Sequence, residues 1–308
     1  MATTVTAPVT NNIALATDYL ALLDEKYVAE SRTAILDTAN QFVRFTGAHT
    51  VDIFSIDAVG MANYSRNNGF VPGDLTGAWN PYVLETDRGR SYMIDYLDND
   101  EVKGLLAPNV LGYVERHHII PEVDAYRFAQ YATAATAGNG NLVNETLTAG
   151  AATVASIDLA TATMDDAEVP YEGRILFVNP TTYRFLKGGI TRMVMNGDDN
   201  VNYNVEMYND MRVITVPSGR FHTQITLNAP TTSNGAGGYT AGGQVINYMI
   251  VHPSAVLQVM KHYAPRMFAP ENNPSADAWL VQPRFAHGAW TLANKKKGIF
   301  MSAPSGTT

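Results

Sequence analysis

The sequence predicts an α+β fold, and three observations carry that prediction. Apolar residues recur at helical spacing in two well-separated stretches. Between them lies a turn-rich segment whose flanks alternate apolar and polar residues as strands do. Further on, short wholly apolar runs have the length and composition of buried strands.

The elements follow in order. Residues 1–12, rich in Thr and Ala, read as a disordered arm. Over 13–36 the pattern is helical: Leu15, Tyr19, Leu22, Leu23, Lys26 and Tyr27 fall three or four apart, and Ile35 and Leu36 continue the stripe. Val51, Ile53 and Ser55 then alternate with Asp52 and Phe54. Turn formers crowd the next stretch: Gly60, Asn63, the run Asn67-Asn68-Gly69, Pro72-Gly73 and Gly77. Strand character returns at 82–84 and 91–94, so 46–96 reads as two strand arms with a glycine-rich tip. A long helix follows, with Pro121 suited to its first turn and Glu122 and Asp124 near its N-terminus. Ala125, Phe128, Ala129, Ala132 and Ala135 share a face, and Gly138-Asn139-Gly140 ends the run.

An Ala-rich helix is predicted over 148–167, stopped by Pro170. Residues 174–178 read as a buried strand, and Asn179-Pro180 opens a short helix through Leu186. Another strand covers 211–216, and the glycines of 228–243 read as a surface loop. Residues 248–251 form a further strand, after which His252-Pro253-Ser254 starts a helix carrying Val256, Leu257 and Met260. Strand patterning returns from Trp279 through Phe300.

Composition narrows the function. Charged residues are 16% of 308, well under the usual quarter or so. A chain short of charge has less surface to keep in water, which suits one that buries its outside against partners. The net charge is −8, and tight non-specific DNA binding needs many Lys and Arg contacts, so a dedicated nucleic-acid binder is disfavoured. The one basic run, Lys295-Lys296-Lys297, reads as a solvated strand end. The absence of cysteine excludes disulfides, thiol catalysis and Cys-ligated metals. The N-terminus does not read as a secretory signal, and no apolar run is long enough for a membrane helix. A soluble protein made in a cytoplasm, with no membrane partner, is the expectation.

No catalytic motif is found: neither H-E-x-x-H, G-x-S-x-G, a P-loop nor a strand-linked G-x-G-x-x-G. The best metal candidate is Glu115-Arg116-His117-His118 with Glu122 and Asp124 nearby. Adjacent histidines point to different faces, and no further ligand stands at a telling spacing, so a structural role is favoured. The carboxylate clusters Asp95, Asp98, Asp100, Glu101 and Asp165, Asp166, Glu168 read as charged turns and helix ends. His49, His222, His252, His262 and His287 are scattered, with no triad to assemble. No catalytic residue, metal or cofactor is expected.

Several runs resemble a known family. Gly69-Phe70-Val71-Pro72-Gly73, the stretch 85–95 from Glu85 through Arg88-Gly89-Arg90 to Asp95, and Asp98-Asn99-Asp100-Glu101 closely resemble major capsid proteins of tailed bacteriophages. Ile119-Ile120-Pro121-Glu122-Val123-Asp124 is similar to that family's entry into its long helix, and Val169-Pro170-Tyr171-Glu172-Gly173-Arg174, Asp277-Ala278-Trp279 and Asn294-Lys295 fit the same pattern. The resemblance spans roughly 20–300.

It implies the Hong Kong 97-like capsid fold: an N-terminal arm over 1–45, an extended β-hairpin loop over 46–96, a peripheral domain with a long spine helix over 97–141 and 261–308, and an axial domain over 142–260. It further implies self-assembly through hexamers and pentamers into an icosahedral virion shell, formed in the host bacterial cytoplasm and enclosing double-stranded DNA touched weakly and non-specifically. Partners would be further copies of the chain, a portal and a scaffolding protein. Some members carry a long scaffolding segment before the extended loop; only 1–45 precede it here, so a separate scaffolding protein is implied. The type member cross-links a loop lysine to an asparagine of the peripheral domain. Here no lysine lies between Lys26 and Lys103, so that cross-link is not implied, despite Asn272 and Asn273.

Physical chemistry points the same way for 46–96. Ordering a residue costs on the order of 1–2 kcal/mol in backbone entropy, and a lone two-stranded hairpin is marginal in water. Arms of about 20 residues would reach roughly 60 Å, against a radius of gyration of about 19 Å for a globule of this length. Such arms must lie on a neighbour. Phe54, Tyr64, Phe70, Trp79, Tyr82 and Tyr92 are therefore expected to contact other subunits, with Arg88 and Arg90 forming ion pairs across the boundary. The alternatives are an encapsulin-like cargo compartment, a metal-dependent hydrolase using Glu115, His117 and His118, and a phage tail or baseplate subunit.

Overall fold

The computed structural model describes residues 30–37, 44–45, 50–67, 69–101, 106–136, 141–190, 205–229 and 235–305. The expected arm over 1–12, most of the helix expected over 13–36, and the glycine stop at 138–140 lie outside the described residues.

The architecture is mixed helix and sheet, as predicted. Its centre is a six-stranded sheet in the order Leu142–Asn144, Ile299–Ala303, Tyr248–Val251, Ile175–Val178, Met211–Thr215, Met207–Tyr208. The outer pair Leu142–Asn144 and Ile299–Ala303 is parallel, as are Ile175–Val178 and Met211–Thr215; the other neighbours are antiparallel. Both faces of this sheet are covered, which is why its strands are apolar runs without alternation. On one face Ile175, Phe177, Met249, Val251, Ile299 and Met301 meet Phe128, Tyr131, Ala132 and Ala135 of the long helix. On the other, Leu176, Val178, Tyr248, Ile250 and Phe300 meet Ile157, Ala160 and Met164 of the helix Gly150–Asp166. Each large apolar side chain so enclosed contributes about 1.5–3 kcal/mol. The helix Pro180–Gly189 begins as its sequence dictates: Pro180 occupies its first turn, and the Asn179 side chain accepts the Thr182 N–H at 2.7 Å.

The long helix runs from Leu106–Val114 through a π-helical turn, Glu115–Ile119, into Ile120–Thr136, about 45 Å at the α-helical rise. Pro121 therefore does not start it. Proline has no N–H to give, and its ring would meet the carbonyl of His117 in regular α geometry. The widened turn before it, in which Ile120 N–H reaches back to Glu115 O, removes that conflict and lets the helix run on. Glu122 and Asp124 accordingly serve no helix start. Asp124 is buried and accepts from the Ser31 and Thr33 hydroxyls (2.8 and 2.7 Å), the Arg32 N–H (2.9 Å) and the Arg220 guanidinium (3.3 Å), fastening 31–33 to the helix. The described end of the first predicted helix is a 3-10 turn, Ala34–Leu36, whose Leu36 enters the core.

A three-stranded antiparallel ribbon flanks the helix: Val256–Tyr263, Arg284–Thr291 and Thr86–Gly89. The same three chains continue beyond a break as Arg266–Phe268, Ala278–Gln282 and Tyr92–Asp95. The helix expected after His252 is thus a single 3-10 turn, Pro253–Ala255, followed by a strand. Val256, Leu257 and Met260 suit either period, and backbone pairing with Arg284–Thr291 decides for strand. The expected loop 228–243 holds less loop than its glycines suggest. Tyr239–Val245 pairs with His222–Leu227, with Gly243 in the left-handed region (φ 61°) beside an irregular register; residues 230–234 lie outside the described set. Lys295-Lys296-Lys297 sits on a 3-10 turn, Ala293–Gly298, just before the last central strand. No helix among the described residues is long and apolar enough to cross a membrane.

Candidate assembly surface

Strands Thr50–Ala58 and Leu75–Val83 pair antiparallel in full register, Thr50 opposite Val83 through Ala58 opposite Leu75. Pro81 is tolerated because its strand is the free edge of that sheet. At nine residues each, the arms reach about 30 Å rather than the roughly 60 Å expected. The shortening has a simple cause: the chain beyond Leu84 leaves the hairpin, and Thr86–Gly89 and Tyr92–Asp95 pair with the body.

Opposed residues share a face, so this register sorts the hairpin. Its base is held down by Val51, Ile53 and Leu84, packed with Leu257, Val259 and Trp290. Beyond the base one face is polar: Asn80 donates to the Ser55 hydroxyl at 2.9 Å, and Asp57 opposes Thr76. The other face carries Phe54, Ile56, Leu75 and Trp79, at 47, 60, 73 and 55% exposure. Phe54 and Trp79 lie directly opposite with rings 5.1 Å apart. Phe54 also lies over Gly77, where a Cβ would stand 2.7 Å from the ring. Glycine at 77 is thus a seat for that ring. At the tip, Tyr64 and Phe70 meet at 4.9 Å beside the Ser65–Gly69 bridge, which Gly69 closes at φ 75°. Phe70 is 86% exposed, and Val59, Met61 and Val71 are exposed around it.

Of the eight residues singled out in the sequence, Phe54 with Trp79 and Tyr64 with Phe70 therefore stand in solvent as two ring pairs, while Tyr82, Arg88, Arg90 and Tyr92 turn to their own body. Tyr82 packs on Trp290 at 5.7 Å. Tyr92 joins Val114, Ile119, Val123 and Phe285; burial pushes its phenol up from the ordinary value, partly offset by Arg90. Arg88 does not need a partner across a boundary. It pairs with Glu122 at 2.8 and 3.2 Å and donates to the carbonyls of Asn228 (2.7 Å) and Gly238 (3.0 Å). Arg90 likewise donates within the chain, to Gly235 O at 3.0 Å. Sequence reading missed Ile56 and Leu75, although Ile56 continues the every-second-residue pattern begun at Phe54.

The candidate metal ligands are occupied otherwise. His117 stacks on Tyr113 at 4.2 Å, and His118 meets the same ring edge-on at 6.2 Å. Glu115 accepts from Tyr263, whose phenol burial and that carboxylate push up to about 12. Glu122 holds Arg88, and Asp124 holds Arg220. Among the described residues, no group of three or more His, Cys, Asp or Glu side chains is placed to hold a metal ion.

No family model and no curated protein matches the sequence. Solved structures do match the fold. A structure from Mycobacterium phage Che8 aligns with TM-score 0.65 at 13% identity, covering 95% of this chain and 98% of that one. The capsid structure of cyanophage P-SCSP1u aligns with TM-score 0.65 at 13% identity, over 95% of this chain and 93% of its own. A chain of the bacteriophage PhiM1 mature capsid gives 0.63 at 13%, again over 95 and 93%.

Proposed function

From the premise that this chain carries the fold of tailed-phage capsid proteins, we propose that it is a shell-building subunit with no catalytic role. Copies would gather as hexamers and pentamers and close into an icosahedral shell around double-stranded DNA, built in the host cytoplasm on a separate scaffolding protein and joined to a portal.

One observation carries this reading: a hairpin whose outer half exposes Phe54, Ile56, Leu75 and Trp79 on one face, where no other strand or core cluster among the described residues covers them. Isolated two-stranded hairpins are marginal, and a contiguous exposed apolar face marks an interaction site. Repetition makes weak contacts sufficient, since each subunit in a closed shell makes several at once. The net charge of −8 is consistent with a container that does not grip its DNA.

Co-expression with a candidate scaffolding protein, followed by sedimentation and negative-stain microscopy, tests it. Closed shells of uniform size are expected. A folded monomer under every assembly condition would overturn the reading, and small shells purified with an enzyme inside would replace it with a cargo compartment.

A further inference from the structure

The flanking ribbon changes sheets at one level. Tyr263 gives way to Arg266, Gln282 to Arg284 and Gly89 to Tyr92, so all three chains break together. Backbone bonds still bridge the gap: Ala264 N–H donates to Arg284 O at 2.9 Å and Arg90 N–H to Pro283 O at 3.3 Å. One ribbon face, with Phe285 and His287, is buried against the long helix. The opposite face, apolar where Leu257, Val259 and Trp290 lie under the hairpin, turns polar toward the break and opens there into a cleft of about 550 Å³. Gly89, Ser91 and Ala264 supply the room because their side chains are short. Around them stand His262, Arg266, Arg284 and Arg90, whose guanidinium is held by Gly235 O, with Asp87 as the one acid.

This charge is only partly answered. Arg284 grips Asp87 with two bonds, 3.0 and 2.6 Å, both side chains in water. Beyond the strand pairing of their backbones, the Arg266 and His262 side chains have no hydrogen-bond or ion-pair partner among the described residues. A concave site with surplus guanidinium in a chain of net charge −8 calls for a carboxylate ligand, which the planar fork of arginine takes two oxygens at a time. The same chain offers one. Residues 95–101 hold Asp95, Asp98, Asp100 and Glu101 with no base among them, and Asp95, Asp100 and Glu101 are exposed. The comparable cluster near Asp165 is already paired with Arg174 at 2.6 Å. The cleft and the short acidic helix Tyr96–Glu101 lie at opposite ends of the strand Tyr92–Asp95, about 13 Å apart along it, and no ion pair joins them among the described residues.

We propose that the cleft at the ribbon break receives the acidic segment 95–101, with its short helix Tyr96–Glu101, of a second copy of this chain. The proposal rests on the shell reading and gives it a specific subunit contact. Donor and acceptor are different patches on every copy, so the contact is head-to-tail, and it gives a ring when the rotation between copies closes. A DNA backbone is the poorer occupant, since non-specific binding draws on many phosphate contacts and the cleft sets an aspartate among three arginines.

Charge exchange tests it. Arg266→Glu is expected to lower the assembled fraction in sedimentation velocity by about tenfold or more, with an unchanged melting temperature because Arg266 is exposed. Combining Arg266→Glu with Asp100→Arg in the same chain is expected to restore assembly; Arg266→Gln, which cannot repel, should fall between. Normal assembly of Arg266→Glu overturns the proposal, and so does a defect that Asp100→Arg fails to relieve. Intact assembly with loss of binding to a labelled DNA duplex would reassign the cleft to nucleic acid. The two readings separate cleanly. Rings that respond to the exchange but never close into shells uphold this contact and remove the shell; shells indifferent to the exchange do the reverse.

Discussion

His287 illustrates what a single buried side chain costs. It is fully buried between Tyr126 and Phe285, and neither ring nitrogen finds a hydrogen-bond partner. Burial, reinforced by Arg127 and Arg88, pushes its pKa down to about 4. In the unfolded chain the imidazole takes a proton below about 6.5. Between those values the unfolded state binds more protons, so stability is lost as pH falls from about 6.5 to about 4, by roughly 3 kcal/mol at most, and the loss levels off below that. Urea titrations at pH 7 and 4.5 should therefore show a drop that His287→Leu largely removes. An equal drop in both proteins would assign the acid sensitivity to other groups. None of this was visible in the sequence, where His287 looked like one of several scattered histidines. Arg88 hid its role in the same way, because its partner Glu122 comes 34 positions later.

At the scale of elements, the hairpin separates two kinds of stability. Its base is locked into the body by Val51 and Leu84, whereas Phe54 and Trp79 stand about half exposed, their rings against each other and Phe54 over Gly77. A Phe54→Ser, Trp79→Ser double variant should therefore lose less than about 1 kcal/mol in the isolated subunit, the range of one cross-strand pair, yet fail to form shells. Loss of the fold itself would show that the face is part of the subunit core. Elements were legible where local chemistry decides them. Asn179-Pro180 announces its helix, and Ile175–Val178 and Tyr248–Val251 read as buried strands because both their faces are covered. They were illegible where pairing at a distance decides. Val256–Tyr263 kept a helical spacing until Arg284–Thr291 lay beside it, and Gly242 and Gly243 looked like loop until His222–Leu227 did. The cleft draws on three separate stretches, near 87–91, 262–266 and 282–284, and no local pattern joins them.

For the whole molecule, order should track coverage. The central sheet is enclosed on both faces, while among the described residues each arm of the hairpin's outer half pairs only with the other and is largely exposed. Amide hydrogen exchange in the free subunit should be slow through Ile175–Val178 and Tyr248–Val251 and fast through 53–58 and 75–80. On assembly the hairpin amides should slow while the central strands hardly change. A hairpin already protected in the free subunit would mean that it is ordered without neighbours. The strand Ile299–Ala303 adds a matter of timing. It lies inside the central sheet, between Leu142–Asn144 and Tyr248–Val251, yet it follows both by long stretches of sequence. A ribosome must therefore deliver residue 303 before the sheet can be zipped shut, and a nascent chain holds its core open until then. On the proposed shell reading, newly made subunits would become competent to assemble only after this late insertion.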